Sequence, residues 1–202
     1  MADHYYTENP EAAHAYRMVP CDLKGRTLTL KTDAGVFSRE HLDPGSSLLI
    51  ETVPARKGRI LDLGCGYGPI GIAFAAAEPE CSVVMSDVNR RSLELAQENL
   101  DRNGLRNART VFSNGCSELE GTFDLILSNP PIRIGKQALQ SMWTDCYGRL
   151  NEGGSLYIVI RKKQGAPSAK QFLASLFGNC ETVERQGGYH VLHAVRSKGE
   201  KE

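Results

Sequence analysis

Residues 59–77, RILDLGCGYGPIGIAFAAA, constrain this chain more than any other stretch. The first five form a short apolar run, as in a strand buried on both faces. Glycines follow at alternate positions, Gly64, Gly66 and Gly68, where a backbone without Cβ atoms can bend sharply. Pro69 then opens an apolar helix at a place where its missing N–H costs nothing. Strand, glycine bend and helix in immediate succession commit the chain to a parallel sheet with helices on its faces.

The rest of the chain repeats that grammar. SVVMSD (82–87) reads as a second strand. Residues 89–104 read as a helix, with Asn89 as its cap, Leu93, Ala96 and Leu100 on one face, and Gly104 at its end. Strands are expected at 108–112, 123–128 and 153–160, with helices at 136–150 and 166–178. Strands at 180–186 and 189–195 are joined only by a short QGG turn, which permits antiparallel pairing alone. Upstream, 26–32 alternates like a strand, 35–45 reads as a loop, 46–53 as a short helix, and 1–20 as irregular. The expected architecture is α/β, Rossmann-like and doubly wound, with a mostly parallel sheet and one antiparallel strand. We expect a single domain over 1–202, with an N-terminal extension (1–57) and a core (58–196). Ligands in such sheets bind beyond the carboxyl ends of the strands. The chemistry should therefore lie just after residues 63, 87, 113 and 128.

Composition narrows the classes. The chain is 41% hydrophobic and 24% charged, a soluble globular balance. No apolar run approaches the roughly 20 residues of a membrane span, and the N-terminus lacks the apolar stretch of a secretion signal, so a cytoplasmic location is expected. Formal net charge is zero, so any surface for nucleic acid must gather its basic residues locally. The six cysteines are scattered without a CxxC pair, and His190 and His193 lie three apart in a strand, facing opposite sides. No metal site is expected.

Four strand ends carry candidate chemistry. At the first, Asp62 precedes Gly64, Cys65 and Gly66. Gly66, Gly68 and Gly71 match GxGxxG, a pattern that also fits a nicotinamide dinucleotide. Yet an acid ahead of the glycines repels a pyrophosphate and suits an ammonium group, such as the one on S-adenosylmethionine (AdoMet). A tight turn with no ligand would use the same glycines. At the second end, Asp87, followed by Val88, can accept both hydroxyls of a ribose or serve as a turn aspartate. At the third, Asn114 can meet an adenine edge or, ahead of Gly115, simply make a turn. At the fourth, Asn129-Pro130-Pro131 sets an amide beside a carbonyl on a rigid backbone. Two acceptors converging on one spot suit an NH2 group. Asn129 therefore counts in both the cofactor and the acceptor sets. Ile132, Arg133, Lys136, Arg161, Lys162 and Lys163 follow the fourth and fifth strands. The basic ones can contact phosphate or form a solvated rim.

Together, Asp62-Leu63-Gly64-Cys65-Gly66 and Asn129-Pro130-Pro131 resemble class I AdoMet-dependent methyltransferases that act on planar NH2 groups. With Gly35-Val36-Phe37-Ser38-Arg39 and Leu42-Asp43-x-Gly45-Ser46, the chain resembles the small-subunit ribosomal RNA guanine-N2 methyltransferases over roughly residues 4–195. The resemblance implies a seven-stranded sheet, AdoMet as cofactor, RNA or a ribosomal subunit as partner, and methyl transfer to guanine N2. The family's best-studied members carry a second, degenerate domain ahead of the catalytic one, which these residues do not include. An aromatic residue often follows the NPP motif; here it is Ile132, which leaves Phe37 as the candidate for stacking on the base. The same acceptors would also serve a protein glutamine or a small-molecule amine. A nicotinamide-dependent oxidoreductase lacks an obvious catalytic Tyr–Lys or His pair. A silent AdoMet-binding module would need a broken acceptor motif.

Overall fold

The computed structural model describes residues 14–33 and 42–197; Phe37 lies outside them. The first departure from expectation comes early. Arg17–Leu23, read as mostly irregular, is a strand (β1) paired antiparallel with β2 (Arg26–Thr32). Lys24 and Gly25 join them with φ of 49° and 73°, the left-handed pair that a two-residue hairpin requires. The sequence hid β1 because it alternates weakly, contains Pro20 and buries only Leu23 fully.

The hairpin stands apart from the main sheet, yet it is tied to it. Helix α1 (Pro44–Thr52) begins the connection to β3 (Gly58–Leu63), α2 (Pro69–Ala77), β4 (Cys81–Asp87) and α3 (Arg90–Arg102). Asn99 of α3 is fully buried; its Oδ1 accepts the Lys31 N–H at 2.6 Å and its Nδ2 donates to Lys31 O at 2.9 Å. One turn later, Asn103 makes the same paired contact with Thr29. Two amides at i and i+4 thus satisfy backbone groups along β2. Asn99 Nδ2 also reaches Tyr67 O at 3.0 Å, joining the hairpin to the glycine bend. Asp33, at the end of β2, is buried and accepts Arg91 Nε at 2.8 Å and Nη2 at 2.6 Å.

The chain continues through β5 (Ala108–Phe112), β6 (Phe123–Ser128), α4 (Lys136–Arg149), β7 (Leu150–Arg161), α5 (Ala166–Phe177), β8 (Glu181–Gln186) and β9 (Tyr189–Val195). Seven strands form one sheet in the order β5-β4-β3-β6-β7-β9-β8. Only β9 runs against the others. Alternation along the strands sends Ile60 and Leu125 to one face and Leu61 and Ile126 to the other. The first face is covered by α1, α2 and α3, the second by α4 and α5. Strand order reverses between β3 and β6, which opens a crevice at their carboxyl ends. No helix among the described residues is long and apolar enough to cross a membrane.

Candidate active site

The glycine bend is held from below by the neighbouring strand. Gly64 and Cys65 both donate to Ser86 O, at 2.8 and 2.9 Å. Gly64, Gly66 and Gly68 have φ of 74°, 57° and 95°. A Cβ on Gly64 or Gly66 would meet nothing within 4 Å, so local packing does not demand their bareness. Both line a cavity of about 580 Å³. Their missing side chains leave backbone open to whatever fills it.

Asp62 lies beneath that bend, fully buried and away from the cavity wall. Its Oδ2 accepts the Gly71 N–H at 2.8 Å, while its Oδ1 has no partner among the described residues. Burial raises its pKa to about 7, against the opposing pull of the Gly71 N–H. A positive charge held on the cradle above would favour the ionised form of this buried carboxyl group across the backbone, without touching it. Gly71 lets α2 lie close against β4 and Asp62, since a Cβ there would sit 2.5 Å from Met85 and 3.1 Å from Asp62 Oδ2.

Asp87 faces the cavity at the end of β4. Its Oδ2 accepts Gly66 N at 2.8 Å and its Oδ1 accepts Asn89 N at 2.9 Å. Burial raises its pKa, opposed by those donors and the Val88 N–H. Val88 lines the cavity beside it. Asn114 sits exposed at the lip of the cavity. Its carbonyl accepts from Ser117, making the turn, and the residue also lines the cavity.

The acceptor motif meets the same space, with Asn129, Pro130 and Pro131 all on its wall. Asn129 Nδ2 donates to Asp43 Oδ2 at 2.8 Å and to Ser46 Oγ at 3.0 Å. A carboxylate oxygen can only accept, so the amide nitrogen must occupy that side. Oδ1 is thereby turned to the opposite side. Asp43 itself caps α1, with Oδ2 accepting Ser46 N at 2.8 Å.

The remaining candidates separate. Ile132 lines a smaller neighbouring cavity of about 220 Å³, together with Lys136, Gln140, Trp143 and Gln164. Ile134, two residues on, lines the main one. Arg133, Lys162 and Lys163 are exposed and line neither cavity. The Arg161 guanidinium lies 4.6 Å from the centre of the Tyr189 ring. Sequence reasoning gave Asp43 and Ser46 no role beyond the family motif, and missed Tyr67 and the α4 face of Ala138, Ser141, Met142 and Asp145, which closes one side of the cavity. That face was legible as an i, i+3, i+4, i+7 set; Asp43-Pro44 was legible as a helix start. Among the described residues no group of three or more His, Cys, Asp or Glu could hold a metal.

Comparison with known proteins agrees with this geometry. A family model, the methyltransferase small domain, matches residues 27–193. The uncharacterized protein YbxB of Bacillus subtilis is 40% identical over 97% of this chain and 100% of its own length. Ribosomal RNA small subunit methyltransferase C of Escherichia coli is 38% identical over 85% of this chain, which spans only 50% of that protein. The solved structure of the Thermus thermophilus 16S rRNA N2 G1207 methyltransferase (RsmC), in complex with AdoMet and guanosine, superposes with a TM-score of 0.82 at 27% identity. It covers 93% of this chain and 52% of its own. A seven-stranded sheet with a bare glycine bend facing an Asn-Pro-Pro corner, and a family match across most of its length, make this chain a member of the methyltransferase small domain family.

Proposed function

We propose that this chain methylates the N2 amine of a guanine in ribosomal RNA, using AdoMet. One observation carries the reading: Asn129, with its amide nitrogen held by Asp43, borders the same cavity as the glycine bend. Two relatives with RNA-directed names, one of them in complex with AdoMet and guanosine, support it.

When bound, AdoMet supplies a methyl carbon already activated by its sulfonium. This chain's work is to position, and alignment of two reactants supplies about 7–11 kcal/mol. Asp62 and the backbone of Gly64, Cys65 and Gly66 receive the amino-acid end. Asp87 and Val88 receive the ribose, and Asn114 the adenine edge. Asn129 Oδ1 and the Pro130 carbonyl accept the two hydrogens of the target amine, favouring positive charge as it develops on nitrogen. Pro131 keeps that corner rigid. Phe37 supports the base, and Arg133, Lys162 and Lys163 the phosphates. A paired guanine must leave its stack first. In this reading residues 58–196 are the catalytic core and 1–57 an extension of the same domain, acting in the cytoplasm on a ribosomal subunit or its RNA.

The test is methyl transfer from labelled AdoMet to small ribosomal subunits from cells lacking this protein. Mass mapping is expected to show a single N2-methylguanine in the RNA. Label found in ribosomal protein instead would move the reading to a carboxamide acceptor.

A further inference from the structure

We propose that Asp43 is a positioning residue for methyl transfer, acting through Asn129 from outside both the glycine bend and the Asn-Pro-Pro corner. The inference rests on the proposed function and adds a requirement to it. Asn129 and Asp43 are 86 residues apart in sequence, yet their side chains meet at 2.8 Å. Asp43 is 8% exposed and Ser46 4%, so water competes weakly for either. A serine hydroxyl can donate or accept, so Ser46 alone would let the Asn129 amide lie either way round. Asp43 can only accept, and that removes the choice.

The same contact acts on charge. A carboxylate drawing on Nδ2–H polarises the amide and makes Oδ1 a stronger acceptor, the more so at low local dielectric. One oxygen, Oδ2, accepts both the Asn129 amide and the Ser46 N–H that begins α1. Helix start and acceptor geometry are therefore set by a single atom.

Three variants separate these roles. Asp43→Asn can place a carbonyl oxygen where Oδ2 stands, keeping the cap and the orientation while losing the charge. Asp43→Ser keeps a good cap but is one atom shorter and loses the tie. Ser46→Ala removes only the weaker acceptor. All three are expected to bind AdoMet within about twofold of wild type. For Asp43→Ser, kcat on ribosomal subunits should fall at least tenfold with KM changed less than twofold. Asp43→Asn should recover most of that loss and Ser46→Ala should lose only a few-fold. In an Asn129→Ala background, Asp43→Ser should cost nothing further. Side-chain amide spectra of protein carrying 15N-asparagine give a reading independent of turnover: the Asn129 NH2 pair should move in Asp43→Ser and stay near its place in Asp43→Asn. Wild-type kcat in Asp43→Ser, an undiminished loss in the Asn129→Ala background, or an unmoved Asn129 resonance would each overturn the inference. A normal kcat in Asn129→Ala alone would instead count against the proposed acceptor site.

Discussion

The carboxylate of Asp62 accepts the backbone N–H of Gly71 at 2.8 Å through one oxygen and leaves the other unpartnered among the described residues. The two residues bracket the glycine bend, one next to last in β3 and the other in the first turn of α2. Folding strips Asp62 of water and returns one hydrogen bond. A bound cation above the bend would favour its ionised form through charge acting across the backbone, and the consequence is measurable as protons.

With its folded pKa near 7 against 3.8, Asp62 holds a proton that the unfolded chain releases throughout that interval. The unfolded state then binds fewer protons, so this group lowers stability as pH rises from about 4 to about 7, with no further change above. Asp62→Asn removes that contribution. Denaturant titrations should show the variant gaining on wild type by roughly 1.4 kcal/mol per pH unit at most within the window. An ammonium ligand favours the ionised form, so AdoMet should bind wild type more tightly from pH 6 to 7.5 and release a proton as it does. Calorimetry in buffers of different ionisation enthalpy reads that release. Identical proton release in Asp62→Asn would remove Asp62 from cofactor binding.

Gly64 and Gly68 are predicted to fail differently when given a methyl group. Both are left-handed, which costs an alanine about 1–2 kcal/mol. At Gly64 the new Cβ enters open space on the cavity wall, so stability falls by little more than that strain while AdoMet affinity falls tenfold or more. At Gly68 it would lie 2.9 Å from Ile72 Cδ1 and 3.0 Å from Met85 Cε. Overpacking then adds about 1–3 kcal/mol, and Gly68→Ala should melt well below Gly64→Ala. Equal melting temperatures would show that the bend relaxes at both positions.

The strand ends were legible because their period and punctuation are local. Asp62, Gly64, Asp87, Asn114 and Asn129 each follow a short apolar run, and the parallel topology carries all such ends to one edge of the sheet. What escaped was non-local. Asp43 reads as a helix cap whether or not Asn129 stands beside it, and only the α1 packing brings them together. Ile132 and Ile134 look alike in sequence, yet the short 3-10 turn between Pro131 and Gly135 sends them to different cavities. The β1 strand was lost for want of apolar alternation, since Arg17, Met18, Pro20 and Asp22 are all exposed and leave no buried stripe to read.

Asn129→Ala should separate binding from chemistry. The residue borders the cavity, but its side chain is held by Asp43 and Ser46, so removing it leaves the glycine bend and Asp87 untouched. AdoMet affinity should stay within a few-fold of wild type. Turnover should fall by two to three orders of magnitude, the scale seen when one preorganised partner of developing charge is lost. Equilibrium binding beside single-turnover kinetics makes the comparison. Near-normal turnover would take Asn129 out of the mechanism.

Lys162 and Lys163 offer a test of where RNA lies. Their neighbour Arg161 also packs on the Tyr189 ring, so changing it would disturb packing as well as charge, and the two lysines are the cleaner probes. They are exposed, in a short turn directly after β7, and the next residue, Gln164, lines the smaller cavity beside the acceptor corner. If phosphates pass here, each lysine that neutralises one releases counterions and steepens the fall of affinity with salt. Replacing both by Glu should then weaken binding of a ribosomal RNA fragment strongly at 50 mM salt and far less at 300 mM. It should also flatten the plot of log affinity against log salt by about one to two units. AdoMet binding, measured alongside, should not move. A parallel loss at every salt concentration would point to disturbed packing around β7, and no loss at any would leave the turn as a solvated rim.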